Sequence, residues 1–180
     1  MTVDSDLKGL RQAKQPVSGA LAGPYGHPFH PILVTVPIGA WVCSLVFDIA
    51  SRIVHGPAFL AHGSTWLIVI GMLGALAAAC LGFLDLFAIP TGTPAFRTGL
   101  VHMGLNLAVT AAYAAGFVWR QGGGHPEGQG VGYGQLVLSA VSLAVLGVSG
   151  YLGGKLAYRY GVRVAEESAQ AEGYRTRHRP

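Results

Sequence analysis

Four long apolar stretches dominate this chain, and they constrain its fold more than any other feature. They cover residues 31–54, 64–88, 97–119 and 133–158. Each is longer than the about 20 residues that a helix needs to cross the hydrocarbon core of a bilayer. None shows the alternation of apolar and polar residues that is typical of strands. Because lipid cannot satisfy backbone polar groups, these stretches predict four membrane-spanning helices.

The composition agrees with a lipid environment. Of the 180 residues, 51% are hydrophobic and 11% are charged, whereas soluble domains carry about 25% charged residues. The net charge is +4, but the basic residues lie in loops and tails and are not interleaved with aromatic residues. We therefore expect contact with a lipid bilayer and not with nucleic acid.

The distribution of basic residues predicts the orientation. Short connections make consecutive helices antiparallel neighbours. The lysines and arginines lie in the N-terminal tail, in the loop before the third helix and from Lys155 to the C-terminus, with the exception of Arg52 and Arg120. The positive-inside rule then places both termini in the cytoplasm. The predicted fold is an all-α integral membrane protein, a bundle of four antiparallel transmembrane helices.

Three segments follow from this pattern. Residues 1–26 are predicted to be a polar and poorly ordered tail, and residues 27–164 the membrane domain. Residues 165–180 are predicted to be a polar, basic tail. Within the first spanning helix, Pro37 should cause a kink, since it cannot donate a backbone hydrogen bond. Trp41 should point into the bundle, where its indole N–H can find a partner.

A doublet of histidine–proline pairs marks the start of the first spanning helix. His27 and His30 each precede a proline, which disfavours helical conformation at the histidine itself. We expect His30 to cap the helix and Pro31 to occupy its first position. The repeated pair indicates a ligand-binding or proton-handling site. The alternative is a rigid helix entry with solvated histidines.

A second histidine lies at the same membrane depth. His102 and Asn106 are four residues apart and share a face of the third helix. His30 and His102 come from different helices and could face each other across the bundle. Haem iron accepts histidine as an axial ligand. The candidate residues for haem b or quinone binding are therefore His27, His30, His102 and Asn106.

Four charged residues form a predicted polar cluster within the membrane, where ionisable groups are costly. Asp48 precedes Arg52 by one helical turn, and this spacing predicts an ion pair. Asp85 lies near the end of the second helix and is predicted to pair with Arg97 or His102. Proton handling by such carboxylates and histidines would require a homo-oligomer, because one four-helix protomer offers only a narrow path.

The sequence contains no catalytic motif of a known class. It has no G-x-S-x-G, no H-E-x-x-H and no phosphate-binding glycine loop, so hydrolase and nucleotide-driven activities are disfavoured. We predict no metal-ion site of protein ligands. Three hypotheses stay open: a redox module, a proton- or ion-handling oligomer, and a structural or assembly protein without chemistry.

Three motifs together resemble one known family. They are G-H-P-F-H-P-I-L-V-T-V-P-I-G-A-W from Gly26, G-F-L-D from Gly82, and S-G-Y-L-G-G-K-L-A-Y-R-Y-G-V from Ser149. They resemble the bacterial membrane family called domain of unknown function 2231, over about residues 24–164. The resemblance implies a four-helix module of the bacterial inner membrane without an assigned reaction. Some relatives carry a Rieske iron–sulfur domain, which implies respiratory or iron–sulfur proteins as partners.

Overall fold

The described part of the protein is helical. The computed structural model describes residues 3–17, 28–122 and 129–174, and no strand occurs within these ranges. A π-helical turn, Lys155–Arg159, directly follows the helix Tyr133–Gly154. In chain order, the α-helices are α1 (Val3–Lys14), α2 (His30–Leu33), α3 (Thr35–Ser51), α4 (Ala58–Phe87), α5 (Pro94–Gly122), α6 (Tyr133–Gly154) and α7 (Glu167–Glu172).

Four helical segments are long and apolar enough to cross a membrane. They are His30–Ser51, Ala58–Phe87, Pro94–Gly122 and Tyr133–Arg159. The prediction of an all-α fold with four spanning helices is confirmed. The second span begins at Ala58 and not at residue 64. Pro57 is the N-cap residue of its helix, and proline is common at the start of helices.

The first span is interrupted where the sequence predicts a kink. The break between α2 and α3 falls at Val34. Pro37 has no N–H to donate to the carbonyl of Leu33, so the regular hydrogen-bond ladder cannot continue there. The hydroxyl of Thr35 donates to the carbonyl of Ile32 at 2.7 Å, which satisfies one neighbouring backbone group.

The four spans pack in the order α3, α4, α5, α6 around the bundle. Both α3 and α5 pack against α4 and α6, so α3 and α5 lie diagonally opposite each other. Large side chains from this diagonal pair meet in the centre. Trp41 and Tyr113 stack there with 4.2 Å between ring centroids, and the Trp41 Nε1–H donates to the carbonyl of Ile68. The inward orientation predicted for Trp41 is confirmed.

The two ends of the bundle differ in what they carry. We call the end with α1, the loop between α4 and α5, and the π-helical turn the terminal end. The opposite end, with residues 52–57 and 129–132, is the far end. Both α2 and α5 begin at the terminal end. The predicted charged and histidine residues therefore divide between the two ends of one bundle.

The N-terminal segment differs from the poorly ordered tail that we predict. Residues 3–14 form α1, which packs across the terminal end. The Arg163 backbone N–H donates to the carbonyl of Ala13 at 3.0 Å, and Lys14 Nζ lies 3.1 Å from a carboxylate oxygen of Glu167. A helix of this length is marginal in isolation. Tertiary contacts thus stabilise it, and the C-terminal tail likewise contains α7.

Candidate functional site

His30 is fixed against α4 by one ring nitrogen. Its Nδ1 lies 2.8 Å from the carbonyl oxygen of Ala78. A carbonyl oxygen can only accept, so Nδ1 carries the hydrogen and Nε2 of the neutral ring holds a free lone pair. The imidazole packs on Gly82, where an added Cβ would lie 2.8 Å from His30 Cε1. Gly82 thus makes room for the ring.

His102 is fixed against α6 in the same manner. Its Nδ1 lies 2.8 Å from the carbonyl oxygen of Ser149, which again places the hydrogen on Nδ1. The ring lies beside Gly153, where a Cβ would be 3.1 Å from His102 Cε1. The Asn106 amide nitrogen is 3.4 Å from Nδ1 and 3.2 Å from Nε2. Because it is nearly equidistant from both nitrogens, it lies over the ring face.

Asn106 connects the histidine to α6. Its amide donates to the carbonyl of His102 and to the hydroxyl of Ser149, each at 2.8 Å. The Ser149 hydroxyl in turn donates to the His102 carbonyl at 3.2 Å. These contacts fix the position of the second histidine between α5 and α6, so Asn106 acts here as a support for His102.

The structure brings the two histidines together. The ring centroids of His30 and His102 are 6.4 Å apart and the ring planes are 82° apart. Nε2 of His30 has no hydrogen-bond partner among the residues that the structure describes, and Nε2 of His102 has the Asn106 amide nitrogen at 3.2 Å. His27, the third histidine that the sequence singles out, lies outside the described residues. The candidate site is therefore a pair of imidazoles, each held through Nδ1 to a backbone carbonyl.

The site is built from an internal repeat that the sequence reasoning missed. The signal in the sequence is a spacing that occurs twice. A histidine is followed eleven positions later by an aromatic residue, and that residue is followed seven positions later by a charged residue. When equivalent residues of two repeats face each other, the repeats are related by an approximate twofold axis. In this protein the axis runs parallel to the helices of the bundle. The pairs on the axis, each 72 positions apart, are His30–His102, Trp41–Tyr113 and Asp48–Arg120.

The surroundings of the histidines follow the same repeat. The carbonyls that accept from Nδ1 belong to Ala78 in α4 and Ser149 in α6. The glycines beside the rings, Gly82 and Gly153, each follow that residue by four positions. The hairpin of α2, α3 and α4 is thus structurally equivalent to the hairpin of α5 and α6. Each hairpin contributes one histidine to the centre.

A buried ion pair closes the bundle towards the far end. Arg120 Nη1 and Nη2 donate to the two carboxylate oxygens of Asp48 at 3.0 and 2.6 Å. The Ser64 hydroxyl also donates to this carboxylate. The Asp48 and Arg120 side chains are 0% and 3% exposed. Bidentate geometry of this kind makes the strongest charge-assisted hydrogen bonds.

The ion pair predicted between Asp48 and Arg52 is wrong. Arg52 is the C-cap residue of α3, and its guanidinium lies 4.0 Å from the ring centroid of Tyr133. It also donates to the carbonyl of Val131. Asp48 faces the bundle centre while Arg52 lies beyond the last helical turn, so the arginine reaches the start of α6 instead.

Asp85 at the terminal end also has a partner that the sequence did not predict. Its carboxylate oxygen lies 3.0 Å from Nε of Arg163, and the contact is an ion pair without hydrogen-bond geometry. The predicted partners were Arg97 and His102. Arg97 is exposed, and its side chain forms no ion pair with any residue that the structure describes. Arg163 reaches Asp85 because Gly161 and Arg163 adopt left-handed φ values of 69° and 57°.

A small cleft separates His30 from Asp85. Its volume is about 10 Å³, which is about the space of one water molecule. The cleft is lined by Phe29, His30, Leu81 and Asp85. The cleft has room for about one water molecule beside His30, so a larger group between the histidines would require the two hairpins to separate at this level.

The comparison with protein families agrees with the motifs and the fold. Residues 26–166 match the family described as "Predicted membrane protein (DUF2231)". The chain belongs to this family. The family description states a membrane location and no activity. No curated protein and no solved structure matches the chain.

Proposed function

We propose that this member of the DUF2231 family is a membrane electron-transfer module that holds haem b between His30 and His102. The observation that carries the proposal is the arrangement of two imidazoles, each fixed through Nδ1 to a backbone carbonyl. Histidines that ligate metals almost always donate their other ring N–H to such a group, which orients the ring and its lone pair.

The distance between the rings would allow His30 and His102 to hold one iron together. Imidazole nitrogens bind metals at about 2.0–2.1 Å, so rings on opposite sides of one metal have centroids about 6 Å apart. The centroids of His30 and His102 are 6.4 Å apart. The small residues Gly82 and Gly153 leave space for the rings themselves.

Haem fits the donor set better than a bare metal ion does. Structural metal ions usually take four ligands from the protein. In the described part of the chain, no three His, Cys, Asp or Glu residues are grouped to hold a metal ion. Haem iron needs only axial ligands from the protein, because the macrocycle supplies the others. Two histidines are therefore sufficient for haem and insufficient for a bare ion.

Haem also fits better than a quinone. The carbonyl oxygens of a quinone accept hydrogen bonds and need donors from the protein. The Nδ1 hydrogens of both histidines are already donated to Ala78 and Ser149. In the neutral form of each ring, Nε2 offers a lone pair and no hydrogen. The pair is therefore suited to a metal ligand role.

The proposed role is electron transfer and not catalysis on a substrate. His30 and His102 would hold haem b, which would supply a one-electron redox centre. The protein's own residues orient the imidazoles and exclude bulk water with the surrounding apolar spans. The site lies near the terminal end, so we propose that a respiratory or iron–sulfur protein exchanges electrons there. The positive-inside rule makes this the cytoplasmic side of a bacterial inner membrane.

One observation favours a structural role as the second candidate. The buried carboxylate of Asp48 pairs with Arg120, and the half-buried carboxylate of Asp85 pairs with Arg163. Such pairs fix helices relative to one another and need no ligand. They also disfavour proton handling, because both oxygens of Asp48 accept hydrogen bonds from Arg120.

The test is the absorption spectrum of the protein purified in mild detergent from haem-supplied cells. We expect a Soret band and an α-band that sharpens on reduction with dithionite. His30→Ala and His102→Ala should abolish both bands. His62→Ala is the matched control, because His62 is exposed near the far end, and it should leave the spectrum unchanged.

A second measurement separates loss of a ligand from loss of the fold. His102→Gly should bind haem again when imidazole is added, since free imidazole can occupy the vacated space. A featureless spectrum of the folded wild-type protein at full haem supply would overturn the redox proposal and favour the structural role.

A further inference from the structure

A groove with two opposite charges lies on the terminal end of the bundle. It runs between α1 and the segment that leads into α7, and its volume is about 180 Å³. This is smaller than the about 300–1,000 Å³ of pockets for drug-sized ligands. We call it the α1–α7 groove, and it is lined by Leu7, Leu10, Arg11, Lys14, Glu166 and Glu167.

The groove lies directly beyond the ends of the membrane spans. Two of these spans end at Phe87 and Arg159. An added Cβ at Gly9 of α1 would lie 3.4 Å from Pro90, and one at Gly161 would lie 3.4 Å from Leu10. The groove is therefore held within a few residues of the point where two helices leave the apolar core. Headgroups of a bilayer occupy this depth, since they extend the about 30 Å core to about 40–45 Å.

The charges of the groove form two poles of equal size. Arg11 and Lys14 line the wall formed by α1, and Glu166 and Glu167 line the opposite wall. A hydrogen bond from its own backbone N–H, and then Lys14, lower the pKa of the Glu167 carboxyl. Lys14 and Glu167 pair with each other at 3.1 Å, and Arg11 and Glu166 form no ion pair with another residue that the structure describes. Such a groove fits a dipolar ligand without net charge.

An apolar edge adjoins these charges. Leu7 and Leu10 are 47% and 36% exposed, although they belong to a helix that packs on the protein through Ala13 and Lys14. Exposed leucines at the headgroup level can contact the glycerol and first acyl carbons of a lipid. The groove thus offers a cationic pole, an anionic pole and an apolar edge together.

We propose that the α1–α7 groove binds the headgroup of a zwitterionic phospholipid with a primary ammonium group. The phosphate lies at Arg11 and the ammonium donates a hydrogen bond to Glu166, on either side of the Lys14–Glu167 ion pair. The glycerol backbone lies on Leu7 and Leu10. A choline headgroup has no N–H to donate to the Glu166 carboxylate, and an anionic headgroup leaves it without a cation. This inference does not depend on the haem proposal.

The test compares lipids that differ only in the headgroup. The full-length protein is reconstituted into nanodiscs of phosphatidylcholine, or of phosphatidylcholine mixed with phosphatidylethanolamine or phosphatidylglycerol of the same acyl chains. Ligands that bind only the folded protein raise its unfolding temperature. We expect phosphatidylethanolamine to raise the midpoint by about 2–4 °C over phosphatidylcholine.

Three variants localise the effect. Glu166→Gln and Arg11→Gln should each remove the rise, and neither residue forms an ion pair with another residue that the structure describes, so α1 stays docked. Lys8→Gln is the matched control, because Lys8 lies on the same helix outside the groove, paired only with the exposed Asp4. It should keep the full rise.

Other outcomes overturn the proposal. Equal midpoints in phosphatidylethanolamine and phosphatidylcholine would show that the ammonium is not recognised. A larger rise with phosphatidylglycerol would show that the basic residues alone bind an anionic lipid. A rise that persists in Glu166→Gln and Arg11→Gln would show that the headgroup binds outside the groove.

Discussion

Asp48 and Arg120 form a bidentate ion pair on the approximate twofold axis. The two residues occupy equivalent positions in the two hairpins. The two repeats therefore carry a charge at the same position, negative in one hairpin and positive in the other. Two identical charges facing each other on the axis would repel, whereas opposite charges join the hairpins. The histidine pair and the stacked Trp41 and Tyr113 occupy the same axis nearer the terminal end.

The ion pair should contribute strongly to stability. Removing one member of a buried ion pair leaves the other charge without compensation, which costs about 3–5 kcal/mol. Asp48→Asn and Arg120→Gln should each lower the unfolding temperature in detergent markedly. Arg97→Gln is the control, since Arg97 is exposed, and it should change the temperature little.

The twofold relationship predicts that the two charges can be exchanged. The double variant Asp48→Arg with Arg120→Asp should recover a large part of the stability that either single variant loses. The reason is that positions 48 and 120 occupy equivalent places in the two hairpins. A double variant no more stable than the single variants would contradict the equivalence of the hairpins.

The glycines beside the histidine rings should be sensitive to a single added methyl group. A Cβ at Gly82 or Gly153 would lie 2.8 or 3.1 Å from a ring carbon of His30 or His102, and overpacking costs about 1–3 kcal/mol. Gly82→Ala and Gly153→Ala should lower both the unfolding temperature and the haem content. Gly147→Ala, where a Cβ meets open space, should change neither, and an equal effect of all three would exclude a specific packing role.

The proposed orientation can be tested with reporter fusions. A phosphatase that is active only after export should be inactive when fused after residue 164, and active when inserted between α5 and α6. The physical reason is the excess of basic residues at the terminal end. A green fluorescent fusion at the C-terminus should show the opposite pattern. An active C-terminal phosphatase would place the terminal end, and the histidine pair, on the outer side.

The docking of α1 should weaken in acid. The pKa of Glu167 is lowered from its ordinary value of 4.5, first by its own backbone N–H and then by Lys14. A lowered carboxyl pKa stabilises the docked state above the ordinary value, and this contribution is lost as the pH falls through the lowered pKa. The protection of the α1 amides, measured relative to their intrinsic exchange rate at the same pH, should therefore fall below about pH 4.5. Glu167→Gln should reduce this pH dependence, and Glu172→Gln should not.

Some of the candidate site could be predicted because its signals are local. His30 stands before a proline at the start of an apolar stretch, and His102 shares a helix face with Asn106. Both features depend on neighbouring residues and can be read without knowledge of the partners. The contact of Asn106 with Ser149 could not be predicted, because it joins two helices whose relative rotation is not encoded in either one.

The charged partners could not be predicted for a related reason. The i, i+4 spacing on a helix predicts that Asp48 pairs with Arg52. The carboxylate of Asp48 pairs instead with Arg120, which is 72 positions away. Burial in a low-dielectric centre makes the distant bidentate contact more favourable than a solvated neighbour. Asp85 likewise pairs with Arg163, which lies beyond a π-helical turn that the hydropathy pattern does not show.

The sequence by itself determined the membrane fold, the number of spans, the break before Pro37 and the inward side chain of Trp41. These features depend on the transfer of apolar residues into lipid and on backbone chemistry, which act within one segment. Only the tertiary structure decided which diagonal helices meet, which charges pair and that two hairpins repeat. Those choices depend on the rotation of four uniformly apolar helices about their axes, and contacts between distant residues set that rotation.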